Sequence, residues 1–529
     1  MKKASFNKKA SSIPPVSDSG KPHPIGRRKF VGLLSATALG FTIVPRHVLG
    51  GNNYVAPSDK ITLAYIGCGT QGLRELMPLL PLPDLQIIAV CDPNETATGY
   101  RDWGRDWLRN EIRKTIKVND WMPGGDNIIP GGLANGKFIV DTFYTGQRQK
   151  DNFKACTAYT DFRELLDKEK DLDAVKIMTP DHLHGIVAMA AIKRGKHISM
   201  HKPLSNRLME SKKVIEMAGA SKVTTHLVPW EANMPMDTAV SLIKQGAIGT
   251  LKEIHNWSNR PVWPQYPTLP VDTPPVPKGF NWDLWLGPET YRPYHPNYTH
   301  MVFRGWYDFG GGAMADMGHY SLWSVFNAFD LSGPSIIEPQ QSHFCSLNEP
   351  LPFTVKNDFS FPMASTVRFR YPAKGSRGPV DLIWHDGGMR PPIPDDMIAE
   401  NRELGAEGMM FVGDKGILVG NFYGEKLELY PKERRKTVLF PPPPQQTSDD
   451  EESTQGFSHF LKDLKQGKQT PGSFKEAMHL SESINLYAVA LRTGKMLKYD
   501  AQAMRITNHE AANKYLSREY RPGWRPEEI

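Results

Sequence analysis

Four cysteines in 529 residues are too few and too scattered for a disulfide scaffold, and Cys68, Cys91, Cys156 and Cys345 have no metal-ligand spacing. All four read as structural, two of them in or beside a glycine-rich turn where a small side chain packs well, and no metal is expected. A long apolar run is missing as well. The uncharged stretch Val31 to Val44 is fourteen residues, short of the ~20 that cross a bilayer, so no stable membrane span is expected in the exported chain. A one-signed charge excess disappears on inspection. Residues 1–50 hold nine Lys and Arg against one acid, Asp18, a net of +8, while the whole chain is +7, which leaves about −1 for the remainder. With no basic stripe, nucleic acid is not an expected partner.

What the N-terminus does have is a basic segment, Lys2, Lys3, Lys8, Lys9 and Lys21, then Gly26-Arg27-Arg28-Lys29-Phe30 leading into that apolar stretch. This is the layout of an export signal, and the arginine pair followed by Lys-Phe resembles a twin-arginine signal. Residues 1–50 are therefore expected to direct the protein to the periplasm. That route carries folded cargo, which suits a chain that must fold around a cytoplasmic cofactor.

The cofactor is read from Gly67-Cys68-Gly69-Thr70-Gln71-Gly72, which follows the apolar run Ile61 to Ile66 and opens a helical stretch, Leu73 to Leu80. Glycines there allow a tight turn and close approach of a pyrophosphate, whose charge a helix N-terminus stabilises. Asp92 ends the next apolar run, Leu85 to Val90, twenty residues beyond Gly72, and is placed to accept hydrogen bonds from a ribose. A 2'-phosphate would meet its carboxylate with no arginine in Pro93-Asn94-Glu95 to compensate, so NAD is expected over NADP.

The βαβ rhythm continues with a strand over Asp173 to Met178, an amphipathic helix over His182 to Arg194 ending at Gly195, and a strand over Lys196 to Met200. Between Ala97 and Asp161 lies an insertion whose Gly/Pro/Asn-rich middle, Met122 to Gly136, reads as a long loop covering one face of the nucleotide domain. After Trp230 the texture changes: Ser365 to Tyr371, Val380 to Trp384 and Met409 to Val412 read as strands of an open, largely antiparallel sheet carrying the substrate site. Pro441 to Pro444 and the polar run to Thr454 read as an exposed loop, and Leu480, Ile484, Tyr487, Ala488 and Leu491 fall at helical spacing. The expected organisation is an export signal (1–50), a Rossmann domain (59–230), an α/β domain with a large, mostly antiparallel open sheet (231–500) and a tail (501–529).

Thr179-Pro180-Asp181-His182-Leu183-His184 follows one parallel strand and His201-Lys202-Pro203 the next, so both belong near a nicotinamide, since ligands of such sheets bind beyond the carboxyl ends of strands. Together with the fingerprint, Trp282-Asp283-Leu284-Trp285-Leu286-Gly287-Pro288, Arg304-Gly305-Trp306-Tyr307-Asp308-Phe309-Gly310-Gly311-Gly312 and Ala315-Asp316-Met317-Gly318-His319, these motifs resemble the Gfo/Idh/MocA family, named for glucose-fructose oxidoreductase and inositol dehydrogenase, in order from about residue 60 to 500. The resemblance implies a Rossmann domain followed by an α/β domain whose open sheet often dimerises, so a homo-oligomer is expected, acting on sugars or related polyols. It also implies that Lys202 assists proton transfer at the carbinol, a role that a lysine with a disfavoured ammonium form suits.

Two positions depart from the family pattern. His201 stands where a glutamate is usual, which removes an acid that would hold Lys202 charged and offers a group able to relay a proton. In Asp316-Met317-Gly318-His319-Tyr320 the histidine is three residues after the aspartate instead of four, so either His319 or Tyr320 faces the cleft. His319 is favoured as catalytic or substrate-binding, against a supporting or capping role; Asp316 either orients it, binds a sugar hydroxyl or caps a helix. His184 faces the same cleft by motif position or serves as a structural hydrogen-bonder. Trp257, Trp263, Trp282, Trp285 and Trp306 supply either a sugar-stacking wall or core. The functional expectation is an exported NAD-dependent oxidoreductase acting on a ring hydroxyl of a sugar or glycoside, such as C3. The alternative is a glycoside hydrolase that oxidises C3 transiently, eliminates the aglycone and restores both sugar and cofactor.

Overall fold

The computed structural model describes residues 59–529 apart from 97–98, 126–127, 148–154, 231–235 and 442–448. The expected export signal lies outside the described residues. Six near-continuously apolar strands, β1 (Ile61–Ile66), β2 (Leu85–Cys91), β3 (Thr157–Tyr159), β4 (Ala174–Ile177), β5 (His197–His201) and β6 (Thr225–Val228), form one sheet in the order β3-β2-β1-β4-β5-β6, parallel throughout. Strands without polar alternation are those buried on both faces. The order reverses between β1 and β4, which opens the crevice where such sheets take ligands.

Helices α1 (Thr70–Leu76), α2 (Trp107–Ile116), α3 (Leu133–Gln147), α4 (Phe162–Lys168), α5 (Asp181–Lys193) and α6 (Leu208–Gly219) cover this sheet. Three local expectations need correction. The helix after the fingerprint begins at Thr70 and gives way to a 3-10 turn at Met77–Leu79. The long loop expected over Met122 to Gly136 ends at Leu133, because the apolar spacing of Ile139, Val140, Phe143 and Tyr144 sets a helix whose face packs with Leu63, Tyr65 and Leu73. Gly136 is tolerated inside it for a packing reason: a Cβ there would stand 2.6 Å from Cys68 Sγ. Finally, α5 is buried from Asp181 through Ile192 rather than amphipathic, since sheet, tail and second domain enclose it. It ends as expected, with Gly195 in the left-handed region at φ +68°.

The second half holds α7 (Asp237–Lys244), β7 (Leu251–Trp257), α8 (Trp282–Leu286), α9 (Gly312–Ala328), β8 (Ile336–Gln341), β9 (Cys345–Asn348), β10 (Leu351–Thr354), β11 (Ser365–Tyr371), β12 (Val380–Asp386), α10 (Asp395–Ala399), β13 (Gly408–Gly413), β14 (Ile417–Gly420), β15 (Glu428–Tyr430), α11 (Asp449–Lys465), α12 (Met478–Thr493), β16 (Leu497–Asp500) and β17 (Arg505–Ile506). A nine-stranded sheet runs β15-β14-β13-β7-β12-β11-β8-β16-β17, antiparallel except where β7 and β12 pair parallel. Alternate residues of its strands, Val367, Phe369, Leu382, Trp384 and Phe411, meet Leu322, Phe326, Ile484 and Tyr487 of α9 and α12 in one buried cluster that extends into the first sheet. Cys68, Cys91 and Cys156 are buried free thiols, but Cys345 is exposed on β9, so the packing role expected of it does not hold.

Two later segments return to the first domain. The polar run expected to be loop up to Thr454 is helical from Asp449, and this α11 lays Phe457, Phe460 and Leu461 into the core beneath β1 and β2. The last residues staple the helical layer: Arg518, 2% exposed, pairs with Glu210 of α6 (2.9 Å) and with Glu289 (2.6 Å), and Lys193 of α5 donates to Ile529 O (2.9 Å). Among the described residues no helix is long and apolar enough to cross a membrane.

Candidate active site

The carboxyl ends of β1, β4 and β5, the insertion after β2 and the start of α9 enclose a cleft of about 340 Å³. Its floor is the fingerprint. Gly67 sits at φ +103°, and a Cβ there would lie 2.4 Å from Met178 O; one on Gly72 would lie 2.2 Å from Gly67 O. Glycine is thus required for the turn and for the close approach of α1 to it. No side chain caps α1 at Gly69, so its first-turn N–H groups are left to the cleft. Thr70 and Gln71 line the same wall, and Thr179 adds a buried hydroxyl with no hydrogen-bond partner among the described residues. These features fit a dinucleotide.

Asp92 also lines the cleft, but its carboxylate is a brace: Oδ2 accepts from Cys68 N–H (2.7 Å) and Oδ1 from Asn94 N–H (2.8 Å). Burial pushes it up to about 6, against these hydrogen bonds. Arg74 of α1 pairs with Asp102 at 2.5 Å, and Tyr100 from the insertion stacks on His300 with centroids 4.1 Å apart. All four line the cleft, and none carries a sequence motif that marks it.

The reacting groups converge from β5 and α9. Lys202 Nζ donates to Asp316 Oδ1 at 2.6 Å and to the Asp316 carbonyl, and Arg304 Nε lies 3.2 Å from the same Oδ1. Burial acts to raise the Asp316 carboxyl, yet Lys202 and Arg304 outweigh it and hold it well below the usual carboxylate range. For Lys202 burial lowers the pKa, Asp316 opposes this and Arg304 adds to it. The lysine therefore holds its proton less firmly than in water. Asp316 is the fifth residue of α9 rather than its cap, which excludes the N-cap reading.

His201 lines the cleft beside it. Its Nε2 lies 3.1 Å from Glu75 Oε1 and 3.4 Å from the Tyr320 hydroxyl, and Glu75 in turn bonds Lys176 at 2.9 Å. Burial lowers the His201 pKa, with Glu75 opposing. Tyr320, not His319, is at the cleft wall. The favoured expectation for His319 is corrected: it is fully buried, its Nδ1 is 3.2 Å from Ala315 O in its own helix, and burial followed by the Lys202 charge drives it down to about 3. His184 is likewise off the wall. Its ring nitrogens lie 2.6 Å from Pro203 O and 2.8 Å from Thr179 O, so it ties together the two loops that carry Thr179 and Lys202. Of the five tryptophans weighed as a sugar-stacking wall only Trp285 reaches the cleft; Trp257 packs behind the second sheet, and Trp282 and Trp306 sit in an aromatic core with Phe309. Arg260 and Arg304 are further charged residues of the cleft to which sequence reasoning gives no role, the first because nothing local marks it. Among the described residues no group of three or more His, Cys, Asp or Glu is arranged to hold a metal ion.

A model of the oxidoreductase family Gfo/Idh/MocA, NAD-binding Rossmann fold, matches residues 139–228, and a second, the C-terminal alpha/beta domain, matches residues 249–333. A levoglucosan dehydrogenase from Pseudarthrobacter phenanthrenivorans is 36% identical over 111 residues, a match covering 19% of this chain and 27% of that protein. Similar solved structures include an aldose-aldose oxidoreductase from Caulobacter crescentus complexed with glycerol (14% identity, 83% of this chain and 99% of that one, TM-score 0.45). A levoglucosan dehydrogenase in complex with NADH and levoglucosan gives 14% identity, 83% and 98% coverage and a TM-score of 0.46.

Proposed function

Since the chain matches both domains of the Gfo/Idh/MocA oxidoreductase family, we propose that it is an exported, NAD-dependent oxidoreductase acting on a carbohydrate hydroxyl, the C3 hydroxyl of a sugar or glycoside being the leading candidate. The observation that carries this reading is the buried Lys202–Asp316 pair at the strand ends, in one cleft with the fingerprint. When bound, NAD supplies the two-electron acceptor for an alcohol carbon. The protein's part is proton handling and orientation. Lys202 as the amine accepts the hydroxyl proton on oxidation, and as the ammonium returns it to the carbonyl oxygen on reduction. Arg304 shares Asp316 Oδ1 and so weakens the hold of that carboxylate on the lysine proton. Asp92 stands against a 2'-phosphate.

The redox-neutral alternative, glycoside cleavage through a transient 3-keto sugar, draws support from one feature. Elimination at C2 needs a second proton acceptor beside Lys202, and His201 with Tyr320 occupies that place. Incubating the purified protein with a panel of sugars and glycosides in deuterium oxide separates the readings by mass spectrometry: a keto product supports dehydrogenation, and free sugar carrying deuterium at C2 with released aglycone supports cleavage. Unchanged substrates throughout the panel overturn both.

Export to the periplasm belongs to this proposal through Arg27 and Arg28; undiminished periplasmic protein after both are changed to Lys would remove it. A homo-oligomer, in which a second copy covers the outer face of the nine-stranded sheet around the exposed Arg370, is the expected assembly, and a monomer by light scattering would contradict it.

A further inference from the structure

Arg260 follows β7, and its backbone is fixed there: its N–H donates to Ser258 Oγ (3.3 Å), and Ser258 N–H donates to His385 O (3.0 Å). Its side chain enters the cleft. The guanidinium carbon lies 5.0 Å from the centre of the Trp103 ring, so an aromatic face covers one side of the plane and leaves the N–H edge for a partner lying in that plane. Nε is buried with no hydrogen-bond partner, and among the described residues Arg260 makes no ion pair.

The other cations of this wall differ in that respect. Arg74 has Asp102, and Lys202 and Arg304 share Asp316. Asp181 also acts on Lys202, so among the described cations of this wall it is Arg260 whose charge has no carboxylate paired with it. A neutral polyol would leave that excess positive charge uncompensated in a partly dehydrated space, whereas a planar carboxylate matches a guanidinium edge in both charge and geometry. Arg260 lines the same cleft as Lys202, Arg304 and Asp316, which places it with the reacting groups.

We propose that Arg260, with Arg304 behind it, binds a carboxylate borne by the substrate, so that the carbohydrate oxidised is an acidic one: a uronic or aldonic acid, or a glycoside of one. This rests on the oxidoreductase reading and narrows its substrate class. Two other roles would use the same chemistry or none: a contact to the cofactor's phosphates, or a clamp between Trp103 and β7 with no ligand.

The full-length protein with NAD decides between them by paired turnover of glucuronic acid against glucose and galacturonic acid against galactose, read as NADH formation, with calorimetric titration of the same four compounds. The acidic member of each pair is expected to be favoured by about 100-fold or more in kcat/KM, the discrimination a buried charged partner supports. Arg260→Gln should collapse that ratio towards one and leave NAD affinity as it was, and Arg260→Lys should restore part of it. Equal use of acidic and neutral sugars overturns the proposal, as does a ratio that survives Arg260→Gln. A fall in NAD affinity matching the fall in turnover assigns Arg260 to the cofactor instead. If no sugar is oxidised the oxidoreductase reading fails on its own, and the titrations still decide: acid-selective binding lost in Arg260→Gln upholds the carboxylate site, and absence of selectivity in the unaltered protein ends it. Should Arg260→Gln not fold, the paired comparison on the unaltered protein and Arg260→Lys carry the test.

Discussion

Glu75 Oε1 of the fingerprint helix lies 3.1 Å from His201 Nε2, so the acid missing beside Lys202 in sequence stands next to its neighbour in space. The same carboxylate bonds Lys176, which is 2% exposed on β4.

Glu75→Gln should therefore destabilise the fold by about 3–5 kcal/mol, the range for stripping one partner from a buried ion pair. The effect has a pH signature. Burial raises the Glu75 pKa, but Lys176 and His201 pull it far below its ordinary value of 4.5, so its contribution is complete above about 4.5 and is lost as the pH falls further. Urea unfolding across pH 7 to 3 should show the gap between the unaltered protein and the Glu75→Gln variant constant above about 4.5 and narrowing below it. Parallel curves would remove the ion pair from the account.

Lys202→Met should cut turnover by roughly 10² to 10⁴ with NAD affinity near that of the unaltered protein, because general acid–base assistance is of that size and Met keeps the stem, and it should lower the melting temperature because Asp316 loses a buried partner. Single-turnover NADH formation and NAD titration measure the two separately. Retention of more than about a tenth of the activity would transfer the proton-handling role to His201 or Tyr320.

Asp92→Ala should weaken NAD by about 1.5–3 kcal/mol and narrow the discrimination against NADP. Because burial raises this carboxyl to about 6, its repulsion of a 2'-phosphate is present above that pH and fades below it, so the NAD preference should shrink on acidification. Asp92→Asn should show a preference independent of pH between 5 and 8, the interval chosen to bracket that value. Identical pH dependence in both proteins would exclude Asp92 as the discriminating charge.

Tyr320→Phe should lower kcat/KM by roughly fivefold to tenfold, the worth of one hydrogen bond, and alter the limb of the pH–rate profile that reports His201. His319→Gln, acting on a fully buried ring, should instead lower the melting temperature and leave the profile's shape alone. The reverse pattern would restore His319 to the cleft.

The strands and the fingerprint are legible in the sequence because both depend on local pattern. Ile61–Ile66 and Ser365–Tyr371 have the boundaries that their apolar and β-branched residues set, and the Gly67 turn is dictated by a φ that side chains avoid. The choice between His319 and Tyr320 is not legible, since it turns on helix phase: α9 starts at Gly312, and only the packing of its whole length decides which side meets β5. His184 escapes sequence reasoning for a related reason, its ring being drawn into the gap between two carbonyls that only tertiary structure brings together. The helix at Asp449 is hidden by its acidic start, with the apolar face at Phe457, Phe460 and Leu461 arriving only in its second half. Arg260 has no sequence signature at all; its significance is a count of charges across four segments of chain.

Arg518 bears on the order in which the chain becomes a protein. Glu210 and Glu289 are each about 5% exposed or less, and the guanidinium that pairs with both stands 308 and 229 residues further along the chain. During synthesis Glu210 lacks this partner until 308 further residues have been made, so the Rossmann domain cannot reach its final stability when its own strands are complete. A chain stopped after Ser517 should behave as an arrested intermediate, protease-sensitive at α5 and α6 where the chain carrying Arg518 is resistant, and limited proteolysis of the two forms would tell whether Arg518 and the residues beyond it close the first domain.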